Sequence, residues 1–256
     1  MADKTSKFPA VVLLHGIGGA ARIWARQMAS FAAAGFVPVA LDLPGYGARP
    51  PVTSLDFEGL AADVEAAIDR SGLERPVLLG HSMGGMVVQT MLRRRPGAYS
   101  GAVLACTSSA FGSPEGDFQQ KFVAARLGPL DAGQTLADLA PRLVDAMMAP
   151  KPDTAGRAHA IDVMSRVPSD TYRASIRCLV TFNERDSLAS IRVPVLCLAC
   201  DKDPNAPAAV MERMAAKIPG ARYVCLPGLG HLPNLENAAA FDAAVLDFLR
   251  RAILPA

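Results

Sequence analysis

Ser82 lies in the run Gly80-His81-Ser82-Met83-Gly84, with Gly85 behind it, and this G-x-S-x-G spacing is one that nucleophilic catalysis uses. A serine presented on a sharp turn between a strand and a helix needs small residues two positions before and two after it, because neighbouring backbone would otherwise clash. The helix that opens there adds the positive end of its dipole, and the Met83 N–H can point at a substrate oxygen. A serine hydroxyl is a poor nucleophile until a base takes its proton, so this reading requires a histidine and an orienting carboxylate downstream. The chain has four histidines, at 15, 81, 159 and 231. His15 and His81 flank motif glycines and are held too locally to swing onto Ser82, and His159 falls in a helical stretch. His231 sits in the Gly-flanked loop Gly228-Leu-Gly-His231-Leu-Pro-Asn-Leu-Glu236. For the carboxylate, the segment from Val193 to Pro207 offers Asp201 and Asp203. Asp203 is preferred: it stands further out in the loop, stiffened by Pro204 and Pro207, while Asp201 reads as a turn residue bonding its own backbone.

A second glycine cluster has two readings. His15-Gly16-Ile17-Gly18-Gly19-Ala20-Ala21 contains Gly16-x-Gly18-x-x-Ala21 between a strand and a helix, with Asp42 at the end of the next strand. By spacing this is a dinucleotide-binding fingerprint, the glycines admitting a pyrophosphate and the acid holding a ribose, as in an NAD-dependent oxidoreductase. A Gly-rich turn introduced by His-Gly is equally a loop that aims backbone N–H groups at a developing oxyanion. The cluster by itself does not decide between them.

These residues need elements to hold them. Apolar runs of strand length recur from Ala10 to Leu14, Val37 to Leu41, Val77 to Leu79, Ala102 to Ala105, Val193 to Ala199 and Arg222 to Leu226. Their near-continuous hydrophobicity implies strands covered on both faces, hence a mostly parallel, doubly wound α/β sheet of about six strands. Helical periodicity follows over Ala21 to Ala34, Leu55 to Ser71, Met83 to Arg95, Ala206 to Ile218 and Asn234 to Arg251. From about Phe111 to Ser190 the rhythm changes. Helical patterns near Gly116 to Leu127, Thr135 to Met148, Ala155 to Val167 and Thr171 to Asn183 are punctuated by Pro114, Pro129, Pro141, Pro150, Pro152 and Pro168. Strand-helix alternation resumes afterwards, so residues 111–190 read as a helical insertion into a core made of 1–110 and 191–256.

Composition excludes other classes. Half of the 256 residues are hydrophobic (51%), and 26 Lys and Arg against 24 Asp and Glu leave a formal charge of only +2, which rules out a mainly disordered chain. The one basic run, Arg93-Arg94-Arg95, offers too little field for nucleic acid and reads as the solvated last turn of a helix. No apolar stretch approaches the roughly 20 residues of a membrane span, and Met1 to Pro9 does not read as a signal peptide, so a soluble cytoplasmic protein is expected. The five cysteines are an odd number in a long chain. Cys197 and Cys200 form a CxxC inside an apolar strand with no second ligand pair, so buried thiols are expected rather than a metal site or a disulfide framework.

Taken together, the chain resembles the α/β-hydrolase superfamily over nearly its whole length. The matching pieces are His15-Gly-Ile-Gly-Gly19 with Trp24, Leu41-Asp-Leu-Pro-Gly-Tyr-Gly47, Gly80-His-Ser-Met-Gly-Gly85, Ile191-Arg-Val-Pro194, Asp203-Pro-Asn-Ala-Pro207, and Ile218-Pro-Gly-Ala221 leading to Gly230-His231. Within the superfamily it looks most like small esterases and the 3-oxoadipate enol-lactonase branch, although His81 departs from that branch. The resemblance implies a triad of Ser82, Asp203 and His231, an oxyanion hole formed by the N–H groups of Ile17 and Met83, and a lid over residues 111–190. Hydrolysis of a small-molecule carboxylic ester or lactone without metal or organic cofactor is expected, by a monomer or homodimer. A C–C bond hydrolase, a cofactor-free haloperoxidase-like enzyme and a non-catalytic binding module of the same fold are the other expectations, beside the NAD-dependent oxidoreductase. Trp24, Phe111, Phe122 and Met147 are the substrate-binding candidates, with Phe118, Leu127 and Met148 as further apolar wall. Arg126, Arg142, Arg157, Arg166, Arg173 and Arg177 are the cations available to an acidic substrate. Family members usually begin with an antiparallel hairpin, and the eight residues before Pro9 are too few for one, so a sheet shortened at one edge is expected.

Overall fold

The computed structural model describes residues 9–112 and 117–254. The expected absence of an N-terminal hairpin falls on residues 1–8, and Pro114 and Gly116 lie between 112 and 117; both are outside the described residues. Six strands form one parallel sheet: β1 Ala10–Leu14, β2 Val37–Leu41, β3 Val77–His81, β4 Gly101–Ala105, β5 Val195–Cys200 and β6 Arg222–Leu226, in the order β2-β1-β3-β4-β5-β6. The four inner strands are buried at every position, as the continuous apolar runs require, while the outer strands β2 and β6 are partly exposed. Pro38 sits on an outer strand, where its missing N–H leaves no inner ladder bond unmade.

The core helices are α1 Ala25–Ala33, entered through a 3-10 turn at Ala21–Trp24, α2 Phe57–Ser71, α3 Met83–Arg94, α8 Ala208–Ala215, α9 Pro233–Glu236 and α10 Ala238–Ala252. Between β4 and β5 run α4 Phe118–Asp131, α5 Leu136–Asp145, α6 Thr154–Ser165 and α7 Ser169–Leu179. The chain leaves β1 toward β2 and then crosses back past β1 to β3. Right-handed crossovers therefore put α1 and α2 on opposite faces of the sheet: α1 packs on α10, and α2 packs on α3. The reversal also opens a crevice beyond the carboxyl ends of β1 and β3, the place where open α/β sheets bind ligands.

Several boundaries differ from the sequence reading for local reasons. β3 continues through Gly80 and His81, because these residues still pair with Leu104 and Ala105. β5 starts at Val195 rather than Val193; Pro194 contributes only its carbonyl, to the Ala102 N–H. The last helix is broken at Asn237, whose backbone leaves the helical region and whose side chain caps the second segment by accepting the Ala240 N–H. The Arg93-Arg94-Arg95 run is not simply solvated. Arg93 pairs with Glu184 and Glu58, Arg94 with Glu65 and Glu58, and Arg95 with Asp69, tying α3 to α2 and to the end of the insertion.

The turn after β3 is where space is shortest. Ser82 has φ 53° and ψ −120°, a backbone conformation that L-residues rarely adopt. A Cβ on Gly80 would lie 2.4 Å from the Gly84 carbonyl oxygen, and one on Gly84 would lie 2.4 Å from that of Leu14. Gly84→Ala is therefore expected to lower stability by about 2–3 kcal/mol in urea denaturation, as overpacking against fixed backbone does; an unchanged midpoint would contradict the close approach of α3 to β1.

Candidate active site

The β3 turn places Ser82 at the carboxyl edge of the sheet, with its amide donating to Ala105 (2.9 Å) and its carbonyl accepting from Thr107 Oγ1 (2.8 Å). His231, on the loop between β6 and α9, sets Nε2 3.0 Å from Ser82 Oγ and Nδ1 2.8 Å from Asp203 Oδ2. The other Asp203 oxygen accepts the amides of Asn205 (2.8 Å) and Ala206 (3.0 Å). Burial alone would raise the Asp203 carboxyl, but His231 and these amides hold it below its ordinary value. The three residues thus meet in one hydrogen-bonded chain, with Asp203 and His231 each 5% exposed and Ser82 half-buried. Asp201 does not take part: it is exposed and accepts the Gly228 N–H (2.6 Å), bracing the two loops.

The first glycine loop lies against this turn. A Cβ on Gly16 would come within 2.8 Å of Ser82 Cβ, so the loop is packed on the serine and leaves no space there for a pyrophosphate. Asp42 accepts the Ala21 N–H (2.6 Å) and is closely covered by Gly47, so it serves the entry to α1 rather than a ribose. The dinucleotide reading gives way on both counts. Ile17 lines the cavity beside Ser82 and Met83 opens α3, and among the described residues neither amide N–H meets an acceptor.

Beyond Ser82 opens a cavity of about 300 Å³. Phe111, Phe122 and Met147 line it, as does Phe118; Leu127 and Met148 are buried in the insertion without reaching it. Trp24 does not line it. That ring is fully buried against Phe241 and His81 and serves as core packing. Of the six cations considered, Arg126 alone lines the cavity. Arg157, Arg166 and Arg173 pair with Asp145, Asp162 and Asp131, and Arg142 and Arg177 are exposed.

His15 and His81 turn out to be braces. His15 donates from Nδ1 to the Gly16 carbonyl and accepts the Leu43 N–H at Nε2; burial lowers it to about 4. His81 Nε2 donates to the His231 carbonyl (2.6 Å), and burial, with His231 adjacent, lowers it to about 3. One grouping of metal-ligand type occurs among the described residues, His81 with Cys106 and His231, but both His231 nitrogens and His81 Nε2 are already engaged. The CxxC cysteines are buried free thiols.

Glu236 is the residue that sequence reasoning passed over. It is 7% exposed, and its carboxylate accepts the amides of Gly230 (3.0 Å), Leu232 (3.0 Å) and, from the insertion, Ala149 (2.8 Å). The His231 amide meanwhile donates to Met147 (2.7 Å). One carboxylate therefore holds both neighbours of His231 and ties them to the insertion. The available signal was an acid beside Leu235 in a short apolar segment next to a loop whose amides need acceptors.

The chain belongs to the Alpha/beta hydrolase family, whose family model matches residues 11–244. It is 27% identical over 264 residues to the pimeloyl-[acyl-carrier protein] methyl ester esterase of Neisseria meningitidis, covering 97% of this chain and 95% of that one. The crystal structure of the enol-lactonase from Burkholderia xenovorans superposes with a TM-score of 0.82 at 27% identity, covering 97% and 94% of the two chains. The bromoperoxidase from Bacillus anthracis, at 20% identity and a TM-score of 0.85 over 95% and 92%, shares the fold. This family membership makes the protein an enzyme of the hydrolase type.

Two outcomes follow from this geometry. Glu236→Ala strands three buried amides, each worth about 1–3 kcal/mol unsatisfied, so the urea midpoint should drop markedly while Glu236→Gln, which keeps an acceptor, recovers part of it; equal midpoints for both variants would contradict the brace. For acid sensitivity, a buried histidine lowered on folding leaves the unfolded chain with more bound protons between its folded value and about 6.5, so stability falls as pH drops through that window. With His15 at about 4 and His81 at about 3, unfolding free energy should be roughly 2–4 kcal/mol lower at pH 5 than at pH 7; a flat profile over that range contradicts neutral buried imidazoles.

Proposed function

We propose that the protein is a serine hydrolase that cleaves a carboxylic ester or lactone of a small molecule through an acyl-enzyme on Ser82. The observation that carries this reading is the continuous chain Asp203, His231, Ser82 at 2.8 and 3.0 Å, ending in the cavity. Ser82 Oγ adds to the substrate carbonyl while His231 Nε2 takes its proton. Asp203 keeps the other proton on Nδ1 and stabilises the imidazolium that forms. The carbonyl oxygen, now an anion, accepts from the Ile17 and Met83 amides, which need no reorganisation to receive it. Collapse of this intermediate breaks the C–O bond, and His231 gives its proton to the leaving alkoxide. Water then adds to the acyl-enzyme with His231 again as base, and the carboxylic acid departs as Ser82 recovers its proton. The helical insertion serves as the lid that encloses the acyl chain, with Phe111, Phe122 and Met147 in its wall. The ester-cleaving relatives support the same chemistry.

Treatment with a fluorophosphonate should modify Ser82, identified by peptide mass analysis, and a panel of acyl esters and lactones should reveal turnover. Ser82→Ala and His231→Ala should each lose about 10³-fold or more in kcat, the residue acting as part of a unit. Absence of an adduct on Ser82, or undiminished turnover in Ser82→Ala, would refute the serine-hydrolase reading.

A further inference from the structure

The Ser82 cavity has an apolar wall with one formal cation in it. Phe118, Phe122 and Arg126 follow one another at intervals of four along α4, so they share one face of that helix, and all three line the cavity. The first two positions carry the aromatic side chains such a face calls for; the third carries a guanidinium. Arg126 Cζ lies 5.1 Å from the centroid of the Phe122 ring. Tyr172 of α7 lines the same cavity, and its phenol is pushed up by burial, an effect that the charge and hydrogen bonding of the nearby Arg126 partly offset. Arg126 thus lies against the Phe122 ring and close to the Tyr172 phenol, and the side chain is half-buried.

Its electrostatic situation differs from that of its neighbours. The other cavity-facing helices of the insertion carry arginines that reach outward to carboxylates: Arg157 to Asp145, Arg166 to Asp162 and Arg173 to Asp131. Among the described residues Arg126 has no carboxylate partner. A charge held against apolar surface without a counter-ion costs solvation free energy, and that cost is offset when a ligand supplies the anion. The fork of guanidinium N–H groups matches a carboxylate bidentately, and the Phe122 ring against it limits its motion.

We propose that Arg126 is a specificity-determining residue that binds a carboxylate at the far end of the substrate's acyl chain, so that the preferred substrates are half-esters or lactones of dicarboxylic acids. The proposal rests on the serine-hydrolase reading of the same cavity and narrows it to one substrate class. Ser82 holds the reacting carbonyl, the methylene chain lies along Phe118 and Phe122, and Arg126 receives the anionic end. Binding energy gathered at that end, remote from the reacting bond, orients the carbonyl on Ser82.

The test compares para-nitrophenyl half-esters of α,ω-dicarboxylic acids, from adipate to suberate, each against the monocarboxylic acyl ester of equal length. The native enzyme should prefer the half-ester in kcat/KM by about tenfold or more at one or more lengths, and Arg126→Gln should reduce that preference by roughly 10- to 100-fold, mainly through KM, as loss of a charge-assisted pair does. Arg126→Lys keeps the charge without the fork and should retain part of the preference, a recovery that a purely structural role for the side chain does not predict. Preference for the neutral ester at every length, or an equal preference in native and Arg126→Gln enzyme, would overturn the assignment while leaving the serine-hydrolase reading standing. Absence of turnover for both ester types together with an unlabelled Ser82 would overturn that reading, and this proposal with it.

Discussion

The φ of 53° at Ser82 is the constraint around which the rest is arranged. An L-residue holds that conformation only where surrounding structure leaves no alternative, and here the surroundings are backbone. The amide of Ser82 is drawn to Ala105, Gly80 faces Gly84 at a distance that admits no side chain, and Gly84 lies on the carbonyl of Leu14. Helix α3 can start directly over the ends of β1 and β3 only because of these close approaches. The same turn sets Ser82 on the cavity wall, and the first amide of the helix is left without an acceptor among the described residues. The Gly16 loop belongs to this constraint, since it passes against Ser82 where a Cβ would meet the serine's own.

The histidine half of the site is organised differently, by buried acceptors and donors rather than by crowding. The loop that carries His231 has few regular hydrogen bonds of its own, and four external ones replace them: Glu236 takes the amides on either side, Met147 takes the amide of His231 itself, and His81 grips its carbonyl. Two of these partners come from elements of the core and one from the helical insertion. Gly230 lies within 2.5 Å of the Met147 carbonyl by the position of its absent Cβ, and Gly156 of α6 meets the Leu235 carbonyl at 2.1 Å by the same measure. The insertion and the His231 loop are therefore packed backbone to backbone. Displacing α5 and α6 would disturb the position of the imidazole.

Parts of this architecture were legible in the residues. The apolar runs became inner strands because a parallel sheet covered on both faces tolerates no polar alternation, and the G-x-S-x-G spacing marked the strand-turn-helix because so few residues fit there. Ser82, Asp203 and His231 could be singled out by type, loop position and chain order. Other features were not legible. Trp24 follows the glycine loop closely in sequence, yet which way its ring turns depends on Phe241, more than two hundred residues later. Of seven arginines in the insertion, all similar as sequence, six reach carboxylates, a backbone carbonyl or solvent and one faces the Ser82 cavity, a difference set by how α4 is rotated against α7. Glu236 gave little notice, because its partners are backbone amides and any residue supplies those.

What the sequence by itself determined was the set of reactive types and the strained turns that present them, since these depend on local sterics, on glycine where a Cβ cannot fit and on the period of apolar residues. What only the tertiary structure decided was adjacency: that Ser82 and His231, separated by 149 residues, stand 3.0 Å apart, that His81 braces the imidazole's backbone, and that Arg126 faces inward. Such contacts depend on the order of strands in the sheet and the rotation of packed helices, which arise from the summed burial of many side chains and from no single segment of the chain.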